Sequence, residues 1–100
     1  MDYQIVWTET ALEDLRDLVR YIAADDQTTA QRFGERIIGQ LESLTGFPRI
    51  GRKVPEYQDD LIQELILTPY RLIYELDDDQ GIIAILRVWH GARGEPEIGR

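Results

Sequence analysis

Leu61-Ile62-Gln63-Glu64-Leu65-Ile66-Leu67-Thr68, Tyr70-Arg71-Leu72-Ile73-Tyr74-Glu75-Leu76 and Gly81-Ile82-Ile83-Ala84-Ile85-Leu86-Arg87-Val88-Trp89-His90 follow one another in the C-terminal half of the chain. Pro69 and the turn Asp77-Asp78-Asp79-Gln80 separate them. Each run is short, rich in β-branched and aromatic residues and bounded by turn formers, which predicts three strands. The connections suit antiparallel neighbours, so the three form a meander. Such a sheet has an apolar face to cover.

The N-terminal half supplies the cover. Residues 3–7 alternate and are rich in strand formers, predicting a short first strand. Thr8 then reads as a helix cap, and Leu12, Leu15, Leu18, Val19 and Ile22 recur at spacings of three and four. Asp25-Asp26-Gln27 breaks that helix. Thr28 or Thr29 caps a second one, whose stripe of Ala30, Phe33, Ile37, Leu41 and Leu44 ends at Gly46. Between residues 47 and 60 the pattern dissolves into Pro48, Gly51 and Pro55 among charges, which predicts a long loop. Two helices with one apolar stripe each pack most economically as a hairpin on one face of a sheet. Residues 1–100 therefore read as one α+β domain of order β-α-α-β-β-β, in two layers.

Composition narrows the chemistry. Hydrophobic residues make up 43% and charged ones 30%, a globular balance. With no cysteine and one histidine, neither a disulfide, a thiolate metal site nor a histidine-rich metal cluster is expected, and no cofactor motif is present. The longest apolar run is too short to span a bilayer and the start lacks a basic leader, so a cytoplasmic protein with no membrane partner is expected. A net charge of −8 opposes a surface that grips nucleic acid all over. The distribution is uneven, however: residues 49–100 hold 7 basic and 10 acidic side chains, many of the acids in Asp59-Asp60 and Asp77-Asp78-Asp79. Arg49, Arg52, Lys53, Arg71, Arg87 and Arg93 are thus candidates for a local positive patch.

The order strand, helix, helix, Gly51-Arg52 loop and three strands, with Tyr70-Arg71-Leu72-Ile73-Tyr74 and the ending Val88-Trp89-His90-Gly91-Ala92-Arg93, resembles the RelE/ParE superfamily of toxins from bacterial type II toxin–antitoxin pairs. The resemblance covers nearly the whole chain. It implies a toxin that arrests growth and is held inactive by a cognate antitoxin. RelE-like and YoeB-like members cut messenger RNA on the ribosome, whereas ParE-like members poison DNA gyrase. Residue by residue, the likeness places Glu56 as a carboxylate general base, Arg71 as a phosphate-binding arginine and His90 as a general acid. Arg52, Lys53, Arg87 and Arg93 would contact the target or its phosphates. Those roles suit RNA cleavage, which needs a base for the 2′-hydroxyl, a cation for the charge on phosphorus and an acid for the leaving oxygen. Two departures weigh against it: Gly91 stands where the nuclease pattern has a tyrosine, and Lys53 is the chain's one lysine. The reading is accordingly a ParE-like toxin acting on gyrase, with a ribosome-dependent, metal-independent endoribonuclease or a module that only binds its antitoxin as alternatives.

Register bears on the trio. Asp78 opposite Gly81 would put Arg71 opposite Val88, on the face of His90, whereas a shift of one residue pairs Arg71 with Arg87. A strand arginine must also reach solvent or find a partner, for which Glu64 and Glu75 are candidates. A carboxylate beside His90, Glu56 above all, would favour its charged form. Trp7 and Trp89 are expected at the edge of the core.

Overall fold

The computed structural model describes residues 2–99. Thr8 ends the first strand, β1 (Gln4–Trp7), and starts the first helix, α1 (Glu9–Asp25). Its backbone is extended and its Oγ1 accepts from the Ala11 amide at 3.2 Å, which makes it the expected N-cap. The same hydroxyl donates to the Ile85 carbonyl at 2.7 Å, tying the helix start to the sheet. At the second helix, α2 (Gln27–Gly46), the cap is Asp26 rather than the predicted Thr28 or Thr29. Its carboxylate accepts from the Thr28 and Thr29 amides at 2.9 and 3.4 Å and from the Thr29 hydroxyl at 2.9 Å. A carboxylate satisfies several orphan donors at the positive end of the helix, and the threonines become its donors.

After α2 the chain reaches β2 (Arg52–Lys53), a two-residue strand inside the stretch predicted as loop. It continues through β3 (Ile62–Leu67), β4 (Tyr70–Asp77) and β5 (Ile82–His90) to a single 3-10 turn, Gly91–Arg93. The sheet has five strands in the order β1-β5-β4-β3-β2. The predicted meander of β3, β4 and β5 is antiparallel, but β1 runs parallel to β5, from Gln4 opposite Ile82 to Trp7 opposite Ile85, so the sheet is mixed. A helix hairpin returns the chain to the end it left; three antiparallel strands then bring β5 alongside β1 in the same direction. Missing β2 has a simple cause: two exposed cations carry no strand pattern.

A bulge decides the register of β4 and β5. Asp77 lies opposite Ile82 and Tyr74 opposite Ile85, but Ile73 lies opposite Arg87, so Leu86 is extra. The turn starts in the register with Asp78 facing Gly81. The bulge then moves Arg71 opposite Trp89, and Tyr70 opposite His90. Neither pairing foreseen for Arg71 survives the inserted residue.

The sheet buries both faces. Against the helices pack Leu67, Leu72, Tyr74, Leu76, Ile83, Ile85 and Val88 with Ala11, Phe33, Ile37 and Leu44. On the outer face a second, smaller cluster joins Val54, Ile62, Ile73 and Trp89, with Tyr57, Leu86 and Ile98 against it. The C-terminal tail straps this cluster down: Gly94 O accepts from Trp89 Nε1 at 3.2 Å, Pro96 O from the Tyr57 hydroxyl and Glu97 O from Arg87. Both tryptophans lie in these clusters, Trp7 at the edge of the first and Trp89 within the second. Among the described residues no helix is long and apolar enough to cross a membrane.

Candidate functional site

Arg71 stands on the outer face of the sheet, two residues along β4 from Ile73, and each nitrogen of its guanidinium meets a carboxylate. Nε donates to Glu64 Oε1 at 2.5 Å, while Nη1 and Nη2 donate to the two oxygens of Glu56 at 3.0 and 2.8 Å. Glu64 has no exposed side-chain surface, and its other oxygen accepts from Arg52 Nε at 2.8 Å. Two arginines and two carboxylates thus close a network across β2, β3, β4 and the loop after Pro55. The buried Glu64 carboxylate holds the network together, because an unpaired charge at that depth would cost several kcal/mol. The sequence offered Glu64 and Glu75 as partners of Arg71, and the ion pair is with Glu64; the second arginine of Glu64 was hidden because β2 was not legible.

The electrostatics follow the geometry. The Arg71 guanidinium on both of its oxygens holds the Glu56 carboxyl below the usual range, and hydrogen bonding to Glu56 raises Arg71 in turn, against the opposing effect of burial. A general base works best with a pKa near the working pH, so a carboxylate depressed in this way is a weak proton acceptor. Glu56 takes one N–H of each outer nitrogen of Arg71, so a phosphate binding there competes with it.

His90 belongs to the other face. It neighbours Trp89 on the strand, so its side chain points towards the helices, resting edge-on against Tyr70 with ring centres 5.2 Å apart. Tyr70 in turn meets Phe33 of α2 at 5.2 Å. Nδ1 accepts the Ala92 amide at 3.0 Å, capping the 3-10 turn. The structure therefore brings Glu56 and Arg71 together and sets His90 across the sheet from both. The carboxylate expected beside His90 is engaged elsewhere: both oxygens of Glu56 are on Arg71.

The basic patch expected from the second half is also neutralised in place. Arg49 pairs with Asp78 at 2.5 Å, Lys53 with Asp60 at 3.1 Å and Arg87 with Asp14 of α1 at 2.7 Å. Asp14 serves twice, since β1 ends opposite Ile85 and leaves the Val88 amide to be met by the same carboxylate at 3.1 Å. Among the described residues Arg93 is the exception, with no ion pair. Its guanidinium carbon lies 4.1 Å from the centre of the Trp89 ring, with Arg87 at 4.8 Å. Asp14, Asp60 and Asp78 had no signal in the sequence as partners, because each lies far along the chain from, or on a different element to, its cation.

This fold, with its charged outer face and its His90 turn, can be set beside known proteins. Residues 5–94 match the model of the ParE toxin of the type II toxin–antitoxin system parDE. The chain belongs to the ParE toxin family. Toxin RelE2 of Caulobacter vibrioides is 33% identical over 90 residues, covering 90% of this toxin and 97% of that protein. Among solved structures, the chromosomal ParDE toxin–antitoxin system of P. aeruginosa superposes with a TM-score of 0.67 at 21% identity, covering 88% of this toxin and 95% of that chain. The RelBE2 toxin–antitoxin complex of Mycobacterium tuberculosis gives 0.60 at 27% identity, covering 90% and 99%. This ParE-family protein is a toxin of type II toxin–antitoxin modules and carries the RelE/ParE fold.

Proposed function

We propose that this toxin arrests growth by binding its target, DNA gyrase in the manner of ParE-like members, and not by cleaving RNA. The observation that carries the reading is the pairing of Arg71 with both Glu56 and Glu64, with His90 on the opposite face of the sheet. An arginine held by two carboxylates is a poor ligand for a scissile phosphate. A base with a lowered pKa and an acid across the sheet are poorly placed for concerted proton transfer. Arg93, stacked on Trp89 and free of a carboxylate among the described residues, and the exposed Arg52 remain as cations for target contact. A cognate antitoxin is the expected partner. Two relatives of this fold were solved from toxin–antitoxin systems, and open strand edges and the helix hairpin offer surfaces for a partner strand or helix.

The test is induction of the toxin in cells, scored by growth arrest, primer extension on total RNA and a gyrase supercoiling reaction. His90→Ala and Glu56→Gln retain toxicity and supercoiling inhibition on this reading. Arg71→Ala loses most of both, because the loop bearing Glu56 loses its anchor. Codon-positioned RNA breaks that vanish with His90→Ala or Glu56→Gln would establish the nuclease instead. Co-expression with a neighbouring small open reading frame yields a stable complex. Recovery of the two proteins as separate species at micromolar concentration would leave the antitoxin unidentified and count against this partner.

A further inference from the structure

After the 3-10 turn the chain belongs to no helix or strand, yet it is fastened across the outer face of the sheet. Gly94, where it turns off, has a φ of 87°, a conformation open to glycine. Three backbone carbonyls then meet side-chain donors: Gly94 O takes Trp89 Nε1, Pro96 O the Tyr57 hydroxyl and Glu97 O the Arg87 Nη1. Pro96 is buried, and Ile98 packs against the outer cluster. Because the segment is in no sheet ladder, it can lift without unpairing a strand. Tyr57 links it to the loop that carries Glu56. The Tyr57 amide donates to the Val54 carbonyl at 3.1 Å and closes the turn Val54-Pro55-Glu56-Tyr57. One foot of this turn, Val54, is buried in the outer cluster; the other, Tyr57, rests on that cluster and is held by the tail. Glu56 sits between the feet with both oxygens on Arg71. It is the outer member of the pair, with 28% of its side-chain surface exposed against 12% for Arg71, so the pair opens from the loop side.

We propose that the tail is a latch on the Glu56–Arg71 pair. Seated, it holds Tyr57 and, through the turn, keeps Glu56 on Arg71. Lifted about Gly94, it frees Tyr57, lets the turn swing out and leaves the two outer nitrogens of Arg71 open to solvent. The switch is confined to the loop. Glu64 belongs to β3 and is buried, so it stays on Arg71 Nε in either state and the guanidinium is never left without a carboxylate. What changes is the number of carboxylates on Arg71, two with the latch shut and one with it open. An open fork has the planar donor pair that suits an anionic group, whereas in the shut state Glu56 already fills that role. The latch therefore acts ahead of any choice of target.

The experiment follows the Glu56 carboxyl by carbon-13 NMR in the full chain, in a chain ending at Arg93 and in full-length Tyr57→Phe. Arg71 holds this group below its ordinary 4.5 in the full chain. Its titration is expected to return to about 4.5 in the shortened chain and to rise part of the way in Tyr57→Phe. A synthetic peptide of residues 94–100, added to the shortened chain, brings it down again. The Arg71 Nε–H signal, protected by Glu64, persists throughout and shows that the sheet is intact. A cycle of urea midpoints separates a latch from mere cover: Glu56→Gln lowers the midpoint of the full chain and leaves that of the shortened chain unmoved, because its pair has already opened. Should the Arg71 Nε–H signal vanish on shortening, Tyr57→Phe decides alone, since it removes one hydroxyl and leaves Pro96 and Ile98 in place. A Glu56 titration that stays low in Tyr57→Phe, or equal effects of Glu56→Gln in the long and short chains, overturns the proposal. None of these readouts depends on toxicity.

Discussion

Glu56 ties the behaviour of this protein in acid to one residue. With its pKa lowered below the ordinary 4.5 by Arg71, its contribution to stability is present above about pH 4.5 and is lost as pH falls through the folded-state value. Urea midpoints measured from neutral pH down to about pH 3 should therefore fall more steeply in the wild type than in Glu56→Gln, which has no proton to take up. Asp26 and Asp78 are depressed too, by the Thr29 hydroxyl and by Arg49, but both are common to the two proteins and cancel in the difference. Parallel curves would dismiss the Glu56–Arg71 pair as a source of stability. Arg71→Ala goes further, because Glu64 is then left buried with Arg52 as its remaining partner; a loss of about 3 kcal/mol is expected from chemical denaturation. Arg71→Lys should recover part of it, as a point charge without the fork. Sequence left Arg71 two outcomes, since a cation among Tyr70, Leu72, Ile73 and Tyr74 must reach solvent or find a partner. Which carboxylates meet it depended on a two-residue strand and a loop with no pattern to read.

Gly51 shows how an element is fitted to its neighbours. A Cβ there would stand 2.5 Å from the Glu64 carbonyl oxygen and against the Tyr74 hydroxyl, so the chain can cross the sheet edge only as glycine. The crossing is then fastened through that hydroxyl, which accepts from the Gly51 amide and lies 3.1 Å from both Pro48 O and Gln63 Oε1. Gly51→Ala should cost about 1–3 kcal/mol by forcing the loop off the sheet, and should weaken the amide protection of β2 in hydrogen exchange. Unchanged protection at Arg52 and Lys53 would show that the loop has slack to absorb a methyl group. At the helices the energetics are simpler. Asp26→Ala removes the acceptor for two amides of α2 and is expected to lower stability by about 1 kcal/mol, with Asp26→Asn recovering most of it. Helix periods, the Thr8 cap and the meander were all legible because each is encoded within a dozen neighbouring residues. The Leu86 bulge was not, since an extra residue in a strand of uniform apolar character leaves no mark on the pattern.

Across the whole molecule, the outer face of the sheet shares its cover between the tail and the segment carrying Val54 and Tyr57. Truncation after Arg93 would uncover Trp89 and Ile73 and remove Ile98 and the buried Pro96, at an expected cost of about 2–4 kcal/mol. Trp89 fluorescence should shift to the red in the truncated chain, with its Nε1 freed from Gly94. An unmoved spectrum would place the cover elsewhere. At this scale the division between sequence and fold is clear. Amphipathic periods, turn residues and β-rich runs determined two helices, the strand meander and a two-layer α+β domain, because those preferences act over short range and any folded state must bury the same stripes. Composition likewise set the acidic charge and the absence of thiol chemistry. Tertiary structure alone decided that β1 lies parallel to β5, that Arg71 faces away from His90, and that five cations expected to form a patch are spent on carboxylates of other elements. Ion pairs and strand order are long-range choices, made by which surfaces meet after the local elements exist, and a charge carries no period by which its partner can be read.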